Sequence, residues 1–406
     1  MTKVSTDEKL INTFLERGVD SIYPSKEELK KKLMSGEKIR AYQGYDPSGP
    51  HLHVGHAMGA RALKILQELG HEVMFLVGDF TALAGDPDKE TTRPLLSEEE
   101  IQKNMEGWKE QAAQLIDFEG KNPVQFVRNH EWLSKLGLAD LIKLMSNATV
   151  QQMMERDLFA RRLKQNNPIG LHEFIYPLMQ GFDSVAMNID LEIGGTDQIF
   201  NMMMGRELVK RYLGKEKFVR ANEMMEAPDA LTMSKTKGNG INLSDTPEVM
   251  YGKAMSYPDE LITKGMRLLT DIPMEDIWEI NKQIQAGENP MQFKKLMAFE
   301  IVKVIKGAQK AAKAQEHFER TVQKKEITDE DTENVAITGK MTVAEFLQKA
   351  LQNSQSSSQI KRVITQGGVE VNGQKITEFQ KEVEFAEGTL VKFGKRKYFK
   401  VGGKND

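Results

Sequence analysis

The sequence predicts an α/β fold with a parallel-sheet body, followed by an all-helical stretch and a small α+β module. Three observations predict this. Between Ile39 and Val77 a strand, a helix and a second, continuously apolar strand follow one another, which is a βαβ unit. From Thr246 to about Gln323 the pattern is helical throughout. From Gly339 onward two short helices give way to strands with tight turns. At 406 residues the chain exceeds one ordinary domain, and a prior of about 150 residues each suggests two or three.

In order along the chain, residues 1 to about 38 read as helix, with Leu10, Ile11, Phe14 and Leu15 at helical spacing. Ile39 to Tyr45 reads as a strand, "DPSGP" as a turn, and about His56 to Leu69 as a helix. Its apolar face is Ala62, Ile65, Leu66 and Leu69, and Gly70 is a natural stop. "VMFLV", Val73 to Val77, has the unbroken apolarity of a strand covered on both faces. Helical and strand-like segments then alternate up to "NIDLEIGGTDQ", Asn188 to Gln198. Pro177 argues against a regular helix that begins well before it. We therefore divide the chain at 1–230 for the sheet body, 231–323 for a loop and the helical domain, 324–338 for an acidic linker, and 339–406 for the tail module.

Composition excludes several classes. The chain is 39% hydrophobic and 28% charged, and no apolar run approaches the length of a membrane span. The start, "MTKVSTDEKLINTFLERG", lacks the apolar core of a secretory signal. There is no cysteine, so disulfides, thiolate zinc sites and a thiolate nucleophile are excluded, as fits a reducing cytoplasm. Net charge is −3, but residues 339–406 hold 12 Lys/Arg against 7 Asp/Glu, a net of +5 that leaves −8 on the remainder. A basic module on an acidic body suits a polyanion partner; chance unevenness is the other reading.

Four short stretches carry chemistry-bearing residues. "HLHVGH" puts His51, His53 and His56 within six residues. His53-Val-Gly-His56 lies between a strand and a helix, where a βαβ unit presents its loop and helix N-terminus to an anion. Gly55 removes a side chain and permits close approach. A metal site would need a third ligand at matching spacing, and no HExxH-type pattern is present. "LTMSKTKGNGINLS", Leu231 to Ser244, brackets lysines and hydroxyls with glycines and suits a developing pyrophosphate charge; a solvated basic turn fits equally. "YPLMQGFD" places Tyr176, Gln180 and Asp183 at i, i+4 and i+7, one face if helical, either a polar grip or an ordinary solvated face. "IGGTDQ" sets Asp197 and Gln198 after an apolar run and two glycines, a ligand site at a strand end or a tight turn.

In this order the set resembles a known family. "HVGH" and "MSKT" resemble the two signature motifs of class I aminoacyl-tRNA synthetases, and "YQGYDPS…LHVGH", "GDP…R", "YPLMQGFD" and "GGTDQ" look like the bacterial tyrosyl-tRNA synthetases. "TVAEFLQKAL…SSSQIKRVITQGGVEVNGQKI" looks like the small alpha-L RNA-binding module that ends many of them. The resemblance implies a Rossmann-like catalytic domain, a helical anticodon-binding domain, and ATP, L-tyrosine and tRNA(Tyr) as partners, with Mg2+ accompanying ATP. It implies a homodimer and a cytoplasmic enzyme, with no membrane contact.

What the resemblance implies for single residues follows from the matched motifs. His53, Gly55 and His56 would line the ATP phosphates, Lys235 and Thr236 would meet pyrophosphate, and Lys89 and Arg93 of "GDPDKETTR" would join them. Asp46, Ser48 and Asp197 would lie by the nucleotide, Asp197 on the ribose. Tyr42 and Asp183 would meet the phenol of tyrosine; Tyr176, Gln180 and Asp86 would surround its ammonium, with Gln198 nearby. No metal ligand set is implied. Buried groups arranged to bond a hydroxyl are left unpaired by phenylalanine, a case for which tyrosyl-tRNA synthetase is itself the standard example. Three residues depart from the pattern. Thr232 stands where the second signature opens with lysine, Gln43 where a smaller residue is common beside the ribose, and Gly59 where some relatives touch the nucleotide.

For RNA, "KFGKRKYFKVGGK", Lys392 to Lys404, holds six basic residues and no acid. Lys395, Arg396 and Lys397, with Lys361 and Arg362 on the preceding short helix, would form the RNA-binding face. Arg156, Arg161 and Arg162 of "ERDLFARRLK" are placed to meet an acceptor stem, although helical salt bridges explain the run as well. Two other enzymes compete, a tryptophanyl-tRNA synthetase and a cofactor adenylyltransferase with an HxGH motif. A non-catalytic synthetase-like RNA-binding protein is the alternative from another class.

Overall fold

The computed structural model describes residues 3–87, 95–229, 240–324, 331–352, 354–394 and 397–402. Lys89, Arg93, Thr232, Lys235, Thr236, Lys395 and Arg396 lie outside these. Two compact units divide the chain, residues 1–312 and 313–406.

In the first unit a six-stranded sheet is built from β1 (Val19–Tyr23), β2 (Arg40–Tyr45), β3 (Glu72–Val77), β4 (Gln125–Arg128), β5 (Leu191–Gly195) and β6 (Phe218–Asn222), in the order β1-β6-β5-β2-β3-β4. Strands β2 to β6 run parallel, and β1 pairs antiparallel with β6 at one edge. The expected βαβ unit is β2, the helix Val54–Glu68 and β3. Five of the six residues of β3 are buried, in keeping with its unbroken apolar run. From β2 the chain winds through β3 to β4, then returns to place β5 on the other side of β2. The direction of winding therefore reverses between β2 and β5, and this is where an open α/β sheet forms its ligand crevice.

Two readings of the sequence differ from the structure in the first unit. The first 38 residues hold two helices, Glu8–Glu16 and Lys26–Met34, with β1 between them. Gly18, at φ +65°, turns the chain out of the first helix. The β-branched and aromatic residues Val19, Ile22 and Tyr23 then favour an edge strand over more helix. The second is the helix Leu171–Ala186, which begins well before Pro177 and carries it inside. Its first turn is secured independently of the bond the proline cannot donate. Glu173 accepts the N–H of Gly170 at 2.8 Å and pairs with the buried guanidinium of Arg162 at 3.0 Å.

The helical stretch contains Pro247–Ala254, Ile262–Leu269, Met274–Gln285 and Pro290–Lys306. Two arginines from the sheet body hold the C-terminal end of Ile262–Leu269. Arg17 donates to the carbonyls of Arg267, Thr270 and Ile272 at 2.9, 2.6 and 2.7 Å. Arg61 donates to Leu268 and Thr270 at 3.1 and 2.8 Å. Cations on the orphan carbonyls of a helix end satisfy both hydrogen bonding and the helix dipole.

In the second unit β9 (Val369–Val371), β10 (Gln374–Ile376), β12 (Leu390–Phe393), β13 (Lys397–Val401) and β7 (Glu333–Val335) form a sheet in the order β10-β9-β12-β13-β7. β8 (Gly339–Thr342) pairs with β11 (Glu382–Phe385). β7 lies within the stretch read as a linker and pairs parallel with β13. Helices Val343–Ala350 and Ser357–Thr365 open on capping boxes from Thr342 and Ser356. The β9–β10 hairpin turns on Asn372 and Gly373, both at positive φ, as its two-residue loop requires. Phe346 stacks on Phe385 at 4.2 Å in a core that also takes Ile360, Ile364, Phe399 and Val401.

Candidate active site

The crevice at the sheet reversal is bounded by the C-terminal ends of β2 and β5. Beyond β2 come Asp46, Ser48 and the histidine loop; beyond β5 come Asp197 and Gln198. The helix Val54–Glu68 opens there on an unusual capping box in which both side chains are histidines. His53 Nδ1 accepts the N–H of Gly55 at 3.2 Å, and His56 Nδ1 accepts the N–H of His53 at 3.0 Å. With both Nδ1 atoms accepting, the neutral rings carry their protons on Nε2. The rings lie 3.8 Å apart, centroid to centroid. The helix starts at Val54, two residues earlier than its periodicity suggested, because His53 supplies the cap. A paired imidazole N–H at a helix N-terminus is a donor set for an anion.

His51 stands apart from that pair. Its Nδ1 meets Ser244 Oγ at 2.9 Å, and the neighbouring backbones pair as well: Val54 N–H donates to Ile241 at 2.9 Å and Leu243 N–H to Leu52 at 2.7 Å. These bonds set the chain at Ile241–Leu243, immediately after the stretch that carries Lys235 and Thr236, against the histidine loop.

The two departures at Gln43 and Gly59 occupy one space. Gln43, on β2, lies over Gly59 of the histidine-capped helix, and a Cβ on Gly59 would fall 1.7 Å from Gln43 Oε1. Gln43 is buried, and this oxygen has no hydrogen-bond partner among the described residues.

The side chains of "YPLMQGFD" share one face of their helix, as spaced. Tyr176 donates to Asp46 at 2.8 Å, and Thr81 donates to the other oxygen of Asp46 at 2.9 Å. Asn129 links Thr81, at 3.0 Å, to Asp183, at 3.2 Å, and Trp132 Nε1 donates to Asp183 at 2.7 Å. Burial raises the Asp183 carboxyl well above its ordinary range, against the pull of the Trp132 and Asn129 bonds. The Tyr42 phenol is raised by burial first and then by Glu192 and Asp183, and that of Tyr176 by burial and then Asp46, so both hydroxyls keep their protons.

A second polar chain runs alongside. Asp86 accepts from Arg156 at 2.8 Å and from Gln198 at 2.7 Å. Asn201 donates to both Gln198 and Gln180 at 3.0 Å. Gln180 donates to Glu192 at 3.1 Å, and Glu192 leads to Ser184, whose Oγ meets the Tyr42 hydroxyl at 3.1 Å. The structure thus brings Tyr42, Asp46, Asp86, Tyr176, Gln180, Asp183 and Gln198 into two hydrogen-bonded chains along one crevice. Asp197 is exposed at its rim, and Ser48 folds its N–H back to Asp46 at 2.8 Å.

Several members of this network were not singled out from the sequence: Thr81, Asn129, Trp132, Ser184, Glu192 and Asn201. No motif marks them, because they reach the crevice from several elements far apart in the chain. Arg156 and Arg162, read as candidates for an acceptor stem, are instead buried and paired with Asp86 and Glu173. Their partners lie 70 and 11 residues away, so helical spacing did not reveal the pairs. In the second unit Lys361, Arg362 and Lys397 are exposed, and the Lys361 ammonium lies 4.1 Å from the centroid of the Phe379 ring.

Comparison with known proteins gives a consistent answer. Residues 34–323 match the family "tRNA synthetases class I (W and Y)". The chain is 42% identical over 401 residues to the tyrosine–tRNA ligase of Thermotoga maritima, covering 98% of each. It is 39% identical over 399 residues to that of Aquifex aeolicus, covering 98% of this chain and 99% of the other. In three dimensions it is similar to a C-terminally truncated mitochondrial tyrosyl-tRNA synthetase from Aspergillus nidulans, with TM-score 0.64, 20% identity, and coverage of 77% of this chain and 93% of that one.

Proposed function

The chain belongs to the class I tRNA synthetases for tryptophan and tyrosine and is a tyrosine–tRNA ligase, and from that premise we infer how its residues divide the work. The carboxylate of tyrosine attacks the α-phosphate of ATP, the bond to the β-phosphate breaks, and tyrosyl-adenylate and pyrophosphate form. A ribose hydroxyl at the 3′ end of tRNA(Tyr) then takes the tyrosyl group and releases AMP. The charge that develops in the first step sits on phosphate oxygens, so positioning and electrostatic stabilisation do most of the catalysis.

In this reading His53 and His56 present their Nε2–H groups to the phosphates from the helix N-terminus, with Gly55 leaving room for the approach. Lys235 and Thr236, with Lys89 and Arg93, take the leaving pyrophosphate. Asp46, Ser48 and Asp197 serve the nucleotide, with Asp197 on the ribose. Tyr42 and Asp183 receive the phenol of tyrosine, while Asp86, Tyr176, Gln180 and Gln198 surround its ammonium. Mg2+ comes with ATP; among the described residues no group of three or more His, Asp or Glu side chains is placed to hold a metal, and no step is routed through one.

One observation supports the choice of tyrosine over tryptophan most directly. Asp183 and Tyr42 are buried polar groups at one end of the crevice, and a phenol hydroxyl can donate to one and accept from the other, whereas the indole N–H of tryptophan can only donate. Pyrophosphate exchange into ATP, measured with each of the twenty amino acids, tests the reading. Exchange should require tyrosine, and preference for tryptophan, or exchange with no amino acid, would overturn it.

For partners, exposed Lys361, Arg362 and Lys397 support an RNA-binding face on the second unit. A second copy of the chain is supported by exposed apolar side chains on successive helices: Leu138, Ile142, Met145, Val150 and Leu163, with 75, 60, 44, 68 and 62% of their surface open. No helix among the described residues is long and apolar enough to cross a membrane. We place the enzyme in the cytoplasm, with its tRNA.

A further inference from the structure

Lys217 is wholly buried, and so is the carboxylate it pairs with. Its Nζ donates to Glu192 of β5, a residue 2% exposed, and to Ser184 Oγ of the helix Leu171–Ala186 at 2.9 Å. It comes from the turn that leads into β6, behind the crevice. A lysine in such a position gives up its water and recovers the loss only through its partners. Burial accordingly draws its ammonium below the ordinary lysine range, while Glu192 draws it back.

The packing around Lys217 is built to admit it. Gly205, in the helix Ile199–Leu213, passes so close that a Cβ there would fall 2.5 Å from Lys217 Nζ, 3.2 Å from Ser184 Oγ and 3.3 Å from Glu192 Oε2. On the facing helix a Cβ at Gly181 would meet the backbone of Gly205 at 3.1 Å. Two glycines at this helix crossing therefore leave the space in which ammonium, hydroxyl and carboxylate meet. An apolar side chain would fill the volume at lower cost in desolvation, but it would direct neither Ser184 nor Glu192.

Both partners of Lys217 face the crevice. Ser184 Oγ meets the Tyr42 hydroxyl at 3.1 Å, and the other oxygen of Glu192 accepts from Gln180 at 3.1 Å. Tyr42 and Gln180 stand at the two ends of the amino-acid site, one for the phenol and one for the ammonium. A second buried carboxyl, Asp183, is close enough to Glu192 that the Glu192 charge adds to the rise of its pKa, after burial. Lys217 is the buried ammonium that sits between these groups.

We propose that Lys217 is a positioning residue for the amino-acid site: without touching the substrate, it holds Glu192 and Ser184, and through them sets the hydroxyl of Tyr42 and the amide of Gln180. Tyrosine binding then depends on a side chain one layer behind the pocket. The proposal rests on the tyrosine-site reading above. Wild-type exchange settles that reading separately, since a full chain that exchanges pyrophosphate without tyrosine defeats it whatever the variants do.

The test uses the full chain, Lys217→Met and the double variant Lys217→Met/Glu192→Gln, with KM for tyrosine and for ATP measured by pyrophosphate exchange. Lys217→Met leaves Glu192 buried without its cation. It should raise the tyrosine KM by about tenfold or more and the ATP KM by less than about twofold. The double variant removes both charges and should recover most of the tyrosine KM, to within about threefold of wild type, because a neutral amide can still bond Gln180 and Ser184. An unchanged tyrosine KM in Lys217→Met overturns the proposal. So does a parallel rise in both KM values, or a double variant no better than the single. If Lys217→Met does not fold, the double variant decides alone: recovered tyrosine KM supports the proposal, and a failure to fold or to recover overturns it.

Discussion

A methyl group on Gly59 would sit 1.7 Å from the Oε1 of Gln43. Two residues that each depart from the family pattern are thus two halves of one arrangement. The long amide on β2 fits only because the helix opposite carries no side chain.

Gly59→Ala should therefore displace the Gln43 amide rather than break the fold, since the obstructing atoms are the end of a flexible side chain. We expect the ATP KM to rise about fivefold with the tyrosine KM unchanged, and Gln43→Ala/Gly59→Ala to lose less than the two single effects combined, with a coupling of about 1 kcal/mol. Strict additivity in that double-mutant cycle, read by pyrophosphate exchange, would falsify the shared-space interpretation.

Asp183 gives a prediction in two parts. Asp183→Asn should raise the tyrosine KM by about 100-fold or more and spare the ATP KM, because one of the two accepting oxygens becomes an N–H donor that faces other donors. Stability should respond with the opposite sense of pH from an ordinary ion-paired carboxylate. The folded-state pKa lies above the usual 3.8, so ionisation opposes folding. That penalty is absent below the unfolded value and complete above the folded one. The melting temperature of Asp183→Asn, relative to wild type, should thus climb as pH rises through and above the ordinary carboxylate range. A flat or falling difference would show that Asp183 is not held against its charge.

The RNA face is tested by charge reversal. Lys361→Glu/Arg362→Glu/Lys397→Glu lies wholly in the second unit and should leave tyrosine-dependent exchange at its wild-type rate. Binding of tRNA(Tyr) should weaken by about tenfold or more, with a shallower dependence on salt as phosphate contacts are lost. Equal affinity at low salt would remove these three residues from the interface.

Association of two copies is the remaining expectation. Sedimentation should find the wild type dimeric at micromolar concentration, and Leu138→Lys/Ile142→Lys should be monomeric, because two charges desolvated at an apolar contact cost more than such a contact returns. A dimer that survives both charges places the contact elsewhere.

Much of this was legible in the sequence, for reasons tied to particular residues. The unbroken apolar run of Val73 to Val77 marked a covered strand, and Tyr176, Gln180 and Asp183 declared their common face by spacing alone. The tail hairpin was visible in "VNGQ", whose Asn-Gly turn admits few other conformations. Local patterns fell short where a long-range bond decided the outcome. Val19–Tyr23 is a strand because β6, some 200 residues away, supplies its partner. Pro177 sits inside a helix because Arg162 and Glu173 secure the turn before it. The network behind the pocket went unread for the same cause: Lys217, Glu192 and Ser184 come from a turn, a strand and a helix, and nothing in their spacing announces that they meet.

The parallel pairing of β7 with β13 has a consequence for how the protein is made. Among the described residues, 333–335 are the first strand of the second unit and 397–401 its last. Phe399 and Val401 fill its core, so that core stays incomplete until the final strand has left the ribosome. The catalytic body, whose strands are all in place by Asn222, is free of that delay. During synthesis each chain therefore passes through a stage in which every strand of the catalytic sheet has been made while the module that follows it is still unclosed.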